Sequence, residues 1–129
     1  MMRIILLSLF VFASFAMQAQ DELETFRRDY EWMSVFAEDE WTDIEPLKCT
    51  FVFNINDNGD IKFYNTTTGK TITYRATGIV EEGVTDEGDE YQTVIVLNNE
   101  GVECIIQLFT DDNLGVKVIF NPELMIQFF

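Results

Sequence analysis

Two different periods of apolar residues divide this chain. From Asp21 to Glu40, the residues Leu23, Phe26, Tyr30, Met33 and Ala37 recur at alternating spacings of three and four, which lines one face of a helix. Trp32, Val35 and Phe36 widen that stripe, Glu24 can pair with Arg27 and Arg28 one turn on, and Asp21 and Glu22 suit the positive end of a helix dipole. The spacing predicts an N-terminal helix over residues 20–40, lying on a sheet or plugging its open end. The later part, Tyr30 to Ala37, also fits a strand.

From Lys48 onward the period is two. Cys49, Phe51, Phe53 and Ile55 alternate with Lys48, Thr50, Val52 and Asn54, and the run ends at Asp57-Asn58-Gly59-Asp60, where Asn-Gly supplies the positive φ angles of a tight hairpin. Further strands are predicted at Ile61 to Asn65, Thr71 to about Val80, Tyr91 to Leu97, Val102 to Phe109, Leu114 to Phe120 and Leu124 to Phe129. Gly78 inside the third strand signals a bulge or bend. No connection is long enough for a crossover helix, so consecutive strands should pair antiparallel in an up-and-down meander. Thr93 to Leu97 and Cys104 to Phe109 are apolar on both faces, so their second face needs a cover, by closure into a barrel or by the N-terminal helix.

Ahead of these elements stands a different pattern. Arg3 precedes a nearly unbroken apolar run, Ile4 to Phe15, which gives way to Ala16-Met17-Gln18-Ala19 and then to acids. A run of about a dozen residues suits the core of a secretory signal better than a bilayer span, which needs about twenty. Residues 1–19 are therefore expected to be a signal peptide, cut after Ala19 or after Ala16, with an uncleaved anchor as the alternative. No second apolar stretch of membrane-spanning length follows, so no transmembrane segment is expected after cleavage, and the location is periplasmic or secreted.

What remains, residues 20–129, suits one domain. Its seven Lys and Arg face 23 Asp and Glu, a net charge of −16. Such a charge repels phosphate backbones and anionic membranes, which argues against nucleic acid as a partner and leaves basic proteins and cations. Cys49 and Cys104 are the only cysteines. Both sit on apolar strand faces, and an oxidising compartment allows them to form a disulfide; two buried free thiols are the alternative.

The chemistry available is narrow. The chain has no histidine, and Ser34 is the single serine after the signal, so neither a Ser-His arrangement nor a histidine-based zinc site can be assembled. Carboxylate pairs remain, but among so many acids their presence singles out none. We expect no enzyme, no cofactor and no dedicated metal site. A weak calcium site in the loop Glu81 to Glu90, where Asp86, Glu87, Asp89 and Glu90 flank Gly88, is set against a solvated hairpin loop.

From Trp41 to Phe129 the chain resembles the small exported lipocalin-like (calycin) proteins, with a Trp entering the first strand and a hairpin meander of short alternating strands after it. Asp39 stands where the family's Gly-x-Trp signature has glycine. The resemblance implies an eight-stranded barrel around an apolar interior able to hold a small ligand, with Tyr30 to Ala37 supplying the eighth strand. The expected fold class is mainly β: an antiparallel up-and-down meander of seven to eight strands, as a calycin-like barrel or strongly curved sheet, with one N-terminal helix. The expected function is non-enzymatic binding of a small apolar ligand; the alternative is an acidic interaction or inhibitor module for a basic protein.

Overall fold

The computed structural model describes residues 24–129. The expected signal peptide, residues 1–19, and the first residues of the expected helix lie outside that range. Ten strands make up the described chain: β1 (Phe26–Ala37), β2 (Glu40–Trp41), β3 (Glu45–Phe53), β4 (Ile61–Asn65), β5 (Lys70–Ala76), β6 (Glu81–Val84), β7 (Glu90–Leu97), β8 (Glu103–Phe109), β9 (Val116–Asn121) and β10 (Leu124–Phe128). Among the described residues no helix is long and apolar enough to cross a membrane.

The expected helix is a strand from Phe26 onward, and the cause of the misreading is visible in its register. β1 pairs antiparallel with β3, Phe26 opposite Phe53 and Tyr30 opposite Cys49, and then slips by one residue between Tyr30 and Trp32. A strand turns the same way every second residue, and a bulge inserts one extra. Two ordinary steps make a spacing of four, and one step plus the bulge makes three, so Phe26, Tyr30, Met33 and Ala37 share the inner face with a helix-like spacing. Glu24 does not pair with the arginines as a helix would require; Arg27 instead bonds Asp29 on its own strand at 2.7 Å.

All pairings are antiparallel. The path runs β1, β3, β4, β5, β7, β8, β9, β10, and β10 then pairs with β1 over Met33–Phe36, on the edge opposite β3. The meander thus returns to its first strand, although it is not a clean barrel. β5 and β7 share only two residue pairs, Arg75–Leu97 and Ala76–Val96. The first half of β1 has β3 on one edge and no strand on the other.

β5 and β6 both pair with β7, and the register between them shifts by two residues across Thr77 to Val80. The bend expected at Gly78 is this irregularity, which leaves Ile79 and Val80 exposed. The corner after β3 also differs from expectation. Asn54 and Gly59 have positive φ there, at 59° and 83°, but Asn58 does not, and the Gly59 N–H closes a turn on the Asn56 carbonyl at 3.1 Å. Asn56 Oδ1 accepts the Asn58 N–H within the same turn, so the corner is a four-residue turn closed by glycine and not a two-residue Asn-Gly hairpin.

Inward residues from every long strand meet in one core. Phe51 is its centre, fully buried, with the rings of Phe63 at 4.9 Å, Phe128 at 5.4 Å, Phe53 at 6.0 Å and Tyr30 at 6.2 Å. Val96, Ile106, Val116 and Val118 complete it from the opposite strands. Asp60 is a buried carboxylate tied on both oxygens, one accepting the Ala76 N–H at 2.9 Å and the other the Asn56 side chain at 2.9 Å. It fastens the β3–β4 corner to the end of β5, beside the thin seam with β7.

Candidate functional site

The aromatic cluster fills the middle of the fold, so unfilled space lies at one end, where β1 begins and β3 ends. Two adjoining clefts open there, with Phe26, Gln92 and Leu108 in the wall of both. The apolar cleft, about 390 Å³, is lined by Phe26, Phe53, Ile61, Val94, Ile106 and Leu108, with Val80 at its rim. Phe26 stacks on Phe53, centroids 4.9 Å apart, and so forms a rigid partition toward the second cleft. That cleft, about 530 Å³, takes in Arg28, Tyr91 and Thr110, with Glu82 and Glu90 among its other lining residues. Both volumes fall in the range of small-molecule sites.

The extra space follows from the two irregularities of the sheet. The free edge of β1 leaves a gap toward Thr110 and Asp112, and the β5–β6 irregularity draws Val80 to the rim. Gly83 in β6 lies directly under the Tyr91 ring; a Cβ at position 83 would come within 2.5 Å of Tyr91 Cζ. Any side chain there would displace the ring that lines the polar cleft.

Arg28 is the chemical centre of this end. It occupies an inward position on β1, opposite Phe51 in register, and its guanidinium lies 4.9 Å from the Phe26 ring centroid, a cation–π contact. Its Nε is 3.6 Å from Asp112 Oδ1, which is an ion pair but too long for a hydrogen bond, and that nitrogen is buried without a hydrogen-bond partner. Tyr30 Oη, two residues on, is also buried without a partner. Burial pushes the Tyr30 phenol up to about 12, against the opposing pull of Arg28. At neutral pH both groups are therefore donors, and a buried donor without an acceptor costs about 1–3 kcal/mol. Of the two, Arg28 lines the polar cleft, whereas Tyr30 lies behind it, in the wall of neither cleft.

The residues singled out from sequence lie elsewhere. Cys49 and Cys104 are both buried and unbonded to each other. Burial pushes the Cys49 thiol up to about 12, with the Asp29 charge adding to it, and the Cys104 thiol up to about 11, with Glu103 adding to it. Thiols held this far from ionisation are poor nucleophiles. The loop Glu81 to Glu90 is a hairpin between β6 and β7, turned at Thr85 to Asp89. Among the described residues no three His, Cys, Asp or Glu side chains gather as a metal-ligating group.

Sequence reasoning missed Phe26 and Arg28 because it placed Phe26 on the apolar stripe of a helix and Arg28 in an ion pair with Glu24. The available signal was Phe26, Arg28 and Tyr30 at every second position, continuous with the strand-like reading of Tyr30 to Ala37. No protein-family model, curated protein or solved structure matches this chain.

Proposed function

We propose that this chain is an exported, non-enzymatic binding protein built as an irregular calycin-like barrel, with β1 as its closing strand. More particularly, we read the paired clefts around Phe26 as the seat of a small amphipathic ligand. Its apolar body would lie against Phe53, Ile61, Val94, Ile106 and Leu108, and an acidic or carbonyl end would accept from Arg28 in the adjoining cleft. The observation that carries this reading is an open apolar cleft that shares the wall of Phe26, Gln92 and Leu108 with a second cleft lined by Arg28, whose buried Nε lacks an acceptor. The signal-like N-terminus supports the exported part of the proposal, and the absence of histidine together with the buried, weakly ionising thiols supports the non-enzymatic part.

A filled core argues against a ligand at the centre of the fold, so the site is a mouth and not an enclosed chamber. The test is calorimetric titration of the protein with dodecanoate and with dodecylamine, which share a tail and differ in the head. Dodecanoate should bind, and Arg28→Gln should weaken it by about tenfold, a loss of about 1.4 kcal/mol. Leu108→Trp, which fills the cleft from its wall, should abolish binding. Equal affinity for both amphiphiles, or no effect of either substitution in a folded protein, would remove the assignment. Native mass spectrometry of protein purified from its own source would identify the retained ligand.

A further inference from the structure

The clefts leave the outer surface of the sheet unexplained. One line of residues crosses that surface at right angles to the strands: Ile95 on β7, Ile105 on β8, Ile119 on β9, Met125 on β10, Phe36 on β1 and Trp41 on β2. Each is the direct register partner of the next. At roughly 4.8 Å per strand the row is about 24 Å long. All six are apolar and outward. Ile95 and Trp41 are 42% and 41% exposed, and the residues between them are partly covered by one another.

The two flanks of the row are unlike. On the side toward the clefts runs a second register line, Thr93, Gln107, Lys117, Gln127 and Ser34, polar throughout. Lys117 is the single Lys or Arg after Arg75, and its ammonium lies 5.5 Å from the Trp41 ring and 5.6 Å from the Phe109 ring. On the other side lie the turns at the far end of the sheet and the strand ends beside them, which carry the exposed acids Glu38, Asp39, Glu40, Glu100, Glu103 and Glu123 against one exposed cation, Arg75, the register partner of Leu97. Val102 and Leu124, both exposed, extend the apolar surface into that acidic rim.

Cross-strand apolar pairs stabilise a sheet by a few tenths of a kcal/mol each, which accounts for one or two such neighbours. It does not account for an unbroken line over six strands with its acids gathered on one flank and Lys117 as the one charge in the polar line on the other. The need for a cover over the second face of β7 and β8 was legible in the sequence, and among the described residues nothing supplies it.

Charge decides between possible covers. A second copy would bring two acidic rims together on a chain of net charge −16. A bilayer needs an outward apolar band about 25 Å tall, whereas this row is one residue deep and bordered by a polar one. We propose that the row from Ile95 to Trp41, with its acidic rim, is a docking surface for a basic protein. Such a partner lays apolar side chains along the row and Lys or Arg against Glu38, Asp39, Glu100 and Glu123. This surface is the outer face of the sheet, separated from the clefts by the polar line, and stands whether or not they hold a ligand.

The test uses the full mature chain and three synthetic strand peptides, alternating Leu-Lys, Ser-Lys and Leu-Glu, with affinity read by calorimetry and Trp fluorescence. The Leu-Lys peptide should bind, weaken steeply between low and high salt, and lose about tenfold in affinity with Ile105→Thr/Ile119→Thr, which keeps β-branched residues at both outward sites. Glu38→Gln/Glu123→Gln should also weaken it, while Thr93→Ser/Gln107→Ser in the polar row should not. Circular dichroism must show each variant folded, and Ile95→Thr replaces any member of the pair that is not. Equal binding of Ser-Lys would reduce the effect to charge alone and overturn the proposal. So would loss-free binding by the Ile105/Ile119 variant, comparable binding to zwitterionic phosphatidylcholine vesicles, or a dimer in sedimentation that the same variant dissociates.

Discussion

Gly115 and Gly101 form a matched pair from which the return of β10 can be measured. Both have a left-handed backbone, φ 65° and 77°, which an alanine tolerates at a cost of about 1–2 kcal/mol. At Gly101 a Cβ would meet nothing within 4 Å, so Gly101→Ala reads that backbone cost alone. At Gly115 the same Cβ would overlap the Phe128 carbonyl oxygen and lie 2.9 Å from the Phe128 carbonyl carbon and from Phe129 Cα. Those neighbours are backbone and cannot rotate away, so the end of β10 must move. Phe128 is 6% exposed and packs on Phe51 and Phe63 at 5.4 and 5.2 Å, and full loss of such a ring costs about 3–5 kcal/mol. With partial displacement added to the backbone cost, Gly115→Ala should destabilise by about 3–6 kcal/mol.

Urea denaturation followed by far-ultraviolet circular dichroism gives both values, and thermal melting checks them at about 4–8 °C per kcal/mol for a domain of this size. Trp32 adds a local probe, since its N–H donates to the Phe129 carbonyl at 2.9 Å and its fluorescence should change in the Gly115 variant only. If the two substitutions cost the same within about 0.5 kcal/mol, near the additivity error of such measurements, the tight approach of β9 to the end of β10 is wrong.

Three further outcomes are expected. Phe51→Ala, which opens a hole among four aromatic neighbours, should cost about 3–5 kcal/mol in the same assay, and a cost near 1 kcal/mol would mean the centre is loosely packed. Asp60→Ala leaves the Ala76 N–H without its acceptor and should cost about 1–3 kcal/mol, with Asp60→Asn milder because one carbonyl oxygen remains; hydrogen exchange at Ala76 is the direct readout. The raised thiols of Cys49 and Cys104 give stability that is complete below the unfolded value of 9.0 and falls as pH rises toward about 11–12, because the unfolded chain loses those protons first. Folded protein should accordingly resist iodoacetamide at pH 8, and the alkaline loss of stability should shrink in Cys49→Ala/Cys104→Val, whereas unchanged alkaline behaviour would refute the burial argument.

Much of this architecture could be read from residue order because its causes are local. Seven predicted strands occur within a few residues of their expected bounds, each marked by alternation and by Gly, Asn, Asp or Thr at its ends. Their antiparallel order followed from connections too short for anything else. The absence of histidine was equally plain and needs no structure to establish it.

The identity of β1 was not legible. Spacings of three and four suit a helix and a bulged strand equally, and the choice between them is made by β3 and β10, the latter some 90 residues away in sequence. The same long-range pairing puts Arg28 in the wall of a cleft, where local reading saw an ion pair with Glu24 on a helix. It also aligns Ile95, Ile105, Ile119, Met125, Phe36 and Trp41, which are unremarkable one at a time. Alternation and turn chemistry depend on a residue and its near neighbours, so the sequence alone determined where seven of the ten strands lie and which way they run, and left β1, β2 and β6 unread. Register, bulge position and closure depend on which strand edge satisfies another's hydrogen bonds, so only the tertiary structure decided where the clefts open and which outward residues stand in line.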